Sequence, residues 1–114
     1  MKLEGAGKLL RIFVGESDRR GAQPLYTAIV ERARHEGLSG ATVFKGIEGY
    51  GSHGRLHSLR TYDFSTNLPV LIEVAESEEK VRTVIPRLRE MIAEGLITLE
   101  RIRMRLVAPV PGPG

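Results

Sequence analysis

The apolar residues of this chain switch period from two to about 3.6 and back, and they do so twice. Over residues 8–14, Leu10, Ile12 and Val14 share one side of an extended segment, and Leu9, Arg11 and Phe13 share the other. Residues 15–23 are polar. Pro24 then suits the first position of a helix, where its missing N–H costs nothing. Leu25, Ala28, Ile29, Arg32 and Ala33 follow helical spacing, and Gly37 stops the helix. Residues 41–47 return to period two, with Ala41, Val43 and Ile47 on one face and Thr42 and Phe44 on the other. In the second half, Leu68, Val70, Ile72 and Val74 alternate with Leu71 and Glu73, and Pro69 sits near the strand start, where a lost donor is tolerable. Ser77 is a good N-cap, with Glu78 and Glu79 in the first turn. Val81, Val84, Ile85, Leu88, Met91 and Ile92 form a helical stripe, which Pro86 is expected to kink and Gly95 to end. Residues 97–107 read as the last strand, with Ile102, Met104 and Leu106 facing one way and Arg101, Arg103 and Arg105 the other.

The order strand, helix, strand, strand, helix, strand is the split βαβ, or ferredoxin-like, arrangement. It predicts an α+β fold, βαββαβ, with an antiparallel four-stranded sheet and both helices on one face. Leu9, Phe13, Phe44 and Leu71 would then lie on the other face beside Arg11, Arg101, Arg103 and Arg105. That mixture is too apolar to leave in water and too charged for a closed core, so a subunit interface is expected there. With 114 residues the chain is of single-domain size. The domain is expected over 1–107, with 108–114 a disordered Pro/Gly tail.

The longest stretch outside this pattern starts at Gly46-Ile47-Glu48-Gly49-Tyr50-Gly51-Ser52-His53-Gly54-Arg55-Leu56-His57 and runs to Leu68. Loops of roughly 20 residues are uncommon in small domains and are usually functional. Glycine there permits positive φ and close approach of backbone to a ligand. A second candidate is Gly15-Glu16-Ser17-Asp18-Arg19-Arg20-Gly21, before the first helix, where backbone N–H groups and two arginines favour an anion. Solvated Asp–Arg pairs are the plain alternative. The third is Arg101, Arg103 and Arg105, whose guanidinium forks suit phosphate, carboxylate or an interface ion pair. His53 and His57 stand four apart, but Gly54 argues against the helix that would bring them onto one metal.

The chain has no cysteine, which excludes a disulfide, a thiolate nucleophile and a sulfur metal site. There is no Gly-x-Ser-x-Gly elbow and no P-loop or dinucleotide fingerprint, so no enzyme is expected. A formal net charge of +3 is not gathered into a basic run, and the strands lack the aromatic platforms of an RNA-recognition module; nucleic acid is not the expected partner. Residues 1–8 hold no apolar run long enough for a signal peptide, and no stretch approaches a bilayer span, so a cytoplasmic protein without membrane insertion is expected.

Gly15-Glu16-Ser17-Asp18-Arg19, Pro24-Leu25-Tyr26, Ala28-Ile29-Val30, Gly37-Leu38-Ser39-Gly40-Ala41-Thr42-Val43, Gly46-Ile47-Glu48-Gly49-Tyr50-Gly51 and Leu68-Pro69-Val70 resemble, in order and spacing, the PII-like family called domain of unknown function 190. The resemblance runs over about residues 8–107. It implies a fold related to PII signalling proteins and to CutA divalent-ion tolerance proteins, which are trimers. In PII proteins nucleotides lie in clefts between subunits, at the base of the long loop joining the second and third strands. That loop corresponds here to about residues 48–67. It implies a homotrimeric regulatory module that requires no cofactor, takes an adenine nucleotide as effector, and meets a membrane transporter or an enzyme through the loop. Glu16, Arg19, Gly46, Glu48, Gly49, Gly51, Arg101 and Arg103 are the ligand-binding residues this reading nominates. The chain departs from PII proteins in lacking their tyrosine-modification loop and their nucleotide-contact motifs. A CutA-like trimer binding a divalent metal through His53 or His57, and an adaptor without ligand, are the other readings.

Overall fold

A computed structural model of the chain describes residues 4–50, the backbone of 57–58, and residues 67–107. The elements are β1 (Gly5–Gly15), β2 (Arg19–Arg20), β3 (Gln23–Pro24), α1 (Leu25–His35), β4 (Thr42–Lys45), β5 (Glu48–Gly49), β6 (His57–Ser58), β7 (Pro69–Glu76), α2 (Glu78–Met91) and β8 (Leu96–Met104). β4, β7, β1 and β8 lie side by side in that order, every neighbour antiparallel. β2 with β3, and β5 with β6, make two small ribbons outside the main sheet. The fold is ferredoxin-like α+β, as the alternating periods predict.

The core lies between the sheet and the two helices. Leu10, Ile12 and Val14 of β1 and Val70, Ile72 and Val74 of β7 supply its floor. Leu25, Ile29 and Ala33 of α1 and Val81, Val84 and Leu88 of α2 supply its roof. At about 1.5–3 kcal/mol for each large aliphatic side chain fully buried, this layer is the main source of stability. α1 ends in a Schellman pattern: Leu38 N–H donates to Ala33 O at 3.0 Å, Gly37 N–H to Arg34 O at 3.1 Å, and Gly37 takes φ 83°. Ser77 caps α2 through Lys80 N–H, and the helix continues through Pro86 as far as Met91.

Several boundaries differ from the sequence reading, three of them by enough to matter. β1 starts at Gly5 rather than 8, because Gly5, Ala6 and Gly7 pair with Met104, Arg103 and Ile102. A Cβ on Gly7 would collide with the Met104 side chain and sit 2.7 Å from Glu76 O, so only glycine fits beneath that methionine. The second strand stops at Lys45 instead of 47; Ile47 is exposed and does not continue the Val43 face. The last strand ends at Met104, leaving Arg105, Leu106 and Val107 outside it. The expected tail over 108–114 lies outside the described residues.

The side of β8 is a larger correction. Ile97 pairs with Ile12 and Leu99 with Leu10, so the odd residues of β8 share the helix-side face. Arg101, opposite Lys8, and Arg103, opposite Ala6, therefore lie on that side too. They do not stand beside Leu9, Phe13, Phe44 and Leu71. Ile102 and Met104 take that place on the open face, and the charges there are Arg11, Glu73 and Glu100. Arg11 Nε donates to Glu73 Oε2 at 3.2 Å, and its Nη1 lies 3.9 Å from Glu100 Oε1.

Glu76 is the one buried charged residue in the described core, only 1% exposed. Its Oε2 accepts the Ser39 N–H and hydroxyl, each at 2.9 Å, and its Oε1 accepts the Ser77 N–H at 2.9 Å. Burial raises its pKa, but these three donors and the Lys80 charge outweigh burial and leave it lowered overall. The carboxylate thus ties the α1–β4 turn to the start of α2. Glu76→Ala would strand the Ser39 and Ser77 N–H groups and is expected to cost about 1–3 kcal/mol in urea denaturation. Since the folded pKa lies below the ordinary 4.5, this stabilisation is complete above that value and is lost as pH falls through the folded one. Stability of Glu76→Gln should accordingly fall less on acidification than that of the wild type. Parallel acid limbs for the two proteins would contradict the assignment.

Candidate ligand-binding end of the sheet

β1 ends and β7 begins at the same edge of the sheet, where Gly15 faces Pro69. β4 stops there as well, with Lys45 opposite Val70. The turn after β1 is wired to Asn67, the residue two before Pro69. Glu16 N–H donates to Leu68 O at 2.8 Å, and Ser17 N–H to Asn67 Oδ1 at 2.7 Å. Asp18 accepts the Gly15 N–H at 2.8 Å on one oxygen and the Asn67 amide at 3.4 Å on the other. Its carbonyl accepts the Leu25 N–H at 2.8 Å, which sets the start of α1. A Cβ on Gly15 would strike the Asn67 amide, so glycine is required here for contact and not for φ.

At the surface of this platform, Lys45 Nζ meets Glu16 Oε1 at 2.7 Å. The Lys45 pKa is raised, first by that hydrogen bond and then by the Glu16 charge, with Tyr26 adding to it. The pair is exposed, so it costs little to open. α1 starts alongside with no side-chain cap and no acidic residue in its first turn. Its N-terminal partial positive charge is therefore not offset within the helix itself. Arg19 and Arg20 lie on the β2–β3 ribbon; the Arg19 guanidinium donates to Ala22 O within its own turn.

Gly46 and Gly49 also sit here, for a reason other than the freedom the sequence suggested. Neither has a positive φ. A Cβ on Gly46 would lie 2.6 Å from Pro69 Cγ, and one on Gly49 would lie 3.1 Å from the same atom. Gly46 N–H donates to Pro69 O at 2.7 Å. The base of the long loop is thus pressed onto the Pro69 ring, and the β5–β6 ribbon closes it, with Glu48 opposite Ser58 and Gly49 opposite His57.

Glu16, Arg19, Gly46, Glu48 and Gly49 are therefore brought to one end of the sheet. Gly51, His53 and the His57 side chain lie outside the described residues. Within one chain Arg101 and Arg103 lie away from the cluster: Lys8, the strand partner of Arg101, is about 23 Å from Gly15 at the ~3.3 Å rise of an extended chain. Sequence reasoning missed Lys45 and Asn67 as members, and read Asp18 only as part of the candidate turn. Lys45 was readable as the last strand residue before Gly46, whereas the role of Asn67 depends on a contact across 50 positions of the chain. Among the described residues no three His, Cys, Asp or Glu side chains converge as metal ligands, and no helix is long and apolar enough to cross a membrane. The end offers cationic and N–H donors to an anion.

The fold and this loop-bearing end define a PII-like ferredoxin fold. The chain belongs to the family of domain of unknown function 190, described as "Uncharacterized ACR, COG1993", whose model matches residues 7–104. It is 37% identical over 97 residues to a UPF0166 protein of Aquifex aeolicus, covering 85% of this chain and 91% of that one. It is 41% identical over 93 residues to a UPF0166 protein of Methanocaldococcus jannaschii, covering 81% and 85%. Among solved structures it is similar to CPII of Thiomonas intermedia K12, a nitrogen regulatory PII-like protein bound to ADP, AMP and bicarbonate. The TM-score is 0.64 at 20% identity, covering 88% of this chain and 96% of that one. A putative PII-like signaling protein of Thermus thermophilus gives a TM-score of 0.63 at 24% identity, covering 86% and 88%.

The contact with Pro69 leads to a test. Gly46→Ala should destabilise the fold by about 1–3 kcal/mol through overpacking. Amide exchange at residue 46 should also accelerate as its bond to Pro69 O is strained. Adding Pro69→Ala should recover part of the loss, since the ring carbon is the nearest clash. An alanine at 46 that changes neither stability nor exchange would show that the loop base is not held in this way.

Proposed function

We propose that this protein is a PII-like regulatory module, a homotrimer that binds an adenine nucleotide between subunits and reports it through the loop over residues 48–67. The observation that carries the reading is the convergence of Glu16, Lys45, Gly46 and Gly49 at the base of that loop, beside the uncapped start of α1. A phosphate arriving there would compete with Glu16 for Lys45 and meet the N–H groups of α1. The loop base is packed on Pro69, so a ligand that moves Glu16 or Lys45 acts next to the hinge of the loop. The output is a shift in loop population, without bond-making, and no cofactor is required. The nucleotides carried by CPII, a protein of the same fold, support this ligand class.

The open sheet face supports self-association. Phe13 and Phe44 are 37% and 47% exposed there, next to half-buried Leu9 and Leu71. Three such faces turned inward would bury them together with the Arg11–Glu73 pair. A transporter or an enzyme meeting the loop in the cytoplasm is the partner this reading implies.

Titration calorimetry with AMP, ADP, ATP and cyclic AMP, together with light scattering, tests the proposal. The expected result is a mass near three chains and saturable heat with at least one nucleotide. Lys45→Ala should weaken that binding on the order of tenfold, as for loss of one charge-assisted hydrogen bond. Phe13→Asp should weaken assembly by burying an unpaired charge. A stable monomer, or an intact trimer that gives no heat with any of the four nucleotides, would overturn the reading.

A further inference from the structure

We propose that Glu16 is a built-in competitor for the anion site at Lys45, and that a phosphate group displacing it opens a clasp between the two roots of the loop over residues 48–67. This deepens the nucleotide reading and rests on it for the identity of the ligand. The role of Glu16 changes, however. The sequence nominates it as a contact to the ligand, whereas its position makes it the group that the ligand must remove.

The pair joins segments at opposite ends of the loop. Lys45 is the last residue of β4 and precedes Gly46, whose N–H donates to Pro69 O at 2.7 Å. By this root the chain leaves the sheet. Glu16 follows β1, and its N–H donates to Leu68 O at 2.8 Å. The next N–H, that of Ser17, donates to Asn67 Oδ1 at 2.7 Å. By this second root the chain returns to the sheet. Lys45 Nζ donates to Glu16 Oε1 at 2.7 Å, so it bridges the outgoing root and the returning one through residues 29 positions apart. Both residues lie in one chain and touch within it, so the clasp needs no residue from a neighbouring copy.

The Glu16 carboxylate is not what holds the turn. Asp18 does that: its side chain accepts the Gly15 N–H and the Asn67 amide, and its carbonyl accepts the Leu25 N–H. Glu16 gives its backbone N–H to this frame and its carboxylate to Lys45. Lys45 can therefore exchange partners while the frame stays in place. The Lys45 and Glu16 side chains are 54% and 30% exposed, so water reaches the pair. An ion pair in such a setting is worth a factor of about five at most.

An anion from solution must take Lys45 from a carboxylate already attached to the chain. A tethered group acts at an effective concentration on the order of millimolar. A free carboxylate offers Lys45 the same single charge and loses its own translational freedom on binding, so the exchange gains nothing. A phosphate group brings close to two charges and three acceptor oxygens, enough to hold the lysine without Glu16. The pair thus sets a threshold that weak anions do not cross. By linkage, whatever the clasp contributes to closing the roots is withheld from the affinity of the ligand, so one factor governs both.

Glu16→Gln keeps the shape of the side chain and removes its charge. Titration calorimetry of the full chain with each of the four nucleotides, and with inorganic pyrophosphate, compares the wild type, Glu16→Gln, Lys45→Ala and the double variant, each shown to be folded by circular dichroism. Glu16→Gln should bind pyrophosphate and at least one nucleotide about threefold to fivefold more tightly than the wild type. Lys45→Ala should abolish that gain. In the free protein, amide exchange at positions 16 and 46 should accelerate by a similar factor in Glu16→Gln. A residue that only contacts the ligand, or only supports the turn, would weaken binding when replaced. Equal or weaker binding by Glu16→Gln, or a gain that persists without Lys45, overturns the inference and leaves the nucleotide reading standing. Tighter pyrophosphate binding with no heat from any nucleotide supports the inference and overturns that reading. No heat from pyrophosphate or nucleotide in either the wild type or Glu16→Gln overturns both, and unchanged exchange at positions 16 and 46 overturns the clasp.

Discussion

The parity of β1 governs where every other functional group lies. β1 is paired on both sides, so its two registers set the side on which each residue of β7 and β8 projects. Toward β7, even residues meet even ones: Leu10 with Val74, Ile12 with Ile72 and Val14 with Val70. Toward β8, even residues meet odd ones: Leu10 with Leu99 and Ile12 with Ile97. A slip of one position in either ladder would turn a whole row of the core toward water, so these registers are held by the same burial that stabilises the fold. The positions of Arg101 and Arg103 follow from that requirement and not from their own charge. Once Ile97 faces the helices, the residues four and six positions further on must face the same way.

Both ends of the sheet are closed by a polar side chain that accepts a backbone N–H from a distant segment. At one end Asn67 holds the turn after β1. At the other, Glu76 holds the turn before β4 and the start of α2. Local hydrophobic contact alone would leave these crossing points loose, because turns bury little apolar surface. A carboxylate or amide that satisfies several donors at once fixes them instead. The consequence is a rigid frame on which the loop base rests, and the glycines at 46 and 49 belong to that frame. They are small so that backbone can lie against Pro69.

Much of the fold was legible because periodicity reports burial directly. The strand and helix order, the Ser77 cap, the Gly37 stop and the core faces of β1 and β7 all follow from single-residue chemistry or short spacing. The side of β8 was not read correctly, because the strand has apolar residues on both rows: Ile97 and Leu99 on one, Leu96, Ile102 and Met104 on the other. Weight given to the C-terminal trio pointed the wrong way; Ile97 and Leu99 carry the answer, since they sit where the helices cover the sheet. At the candidate site, Glu16 and Gly46 were legible from composition at strand ends. Asn67 was not, because its partner is 50 positions away in sequence, and glycine in a loop does not reveal whether it serves φ or contact.

The two edges of the sheet are handled by different physical means. The β4 edge is short and ends at Gly46, where the chain turns off to build the loop base on Pro69. Strand addition there would have only four residues to work with. The β8 edge is long and regular, and it carries cations two residues apart on an exposed row. Cations on an edge discourage pairing with a like strand. The same arginines are those that the nucleotide reading nominates for phosphate. Within one chain they stand at the end of the sheet away from the loop base, opposite Lys8 and Ala6, so a ligand held between subunits would meet them only from a neighbouring copy.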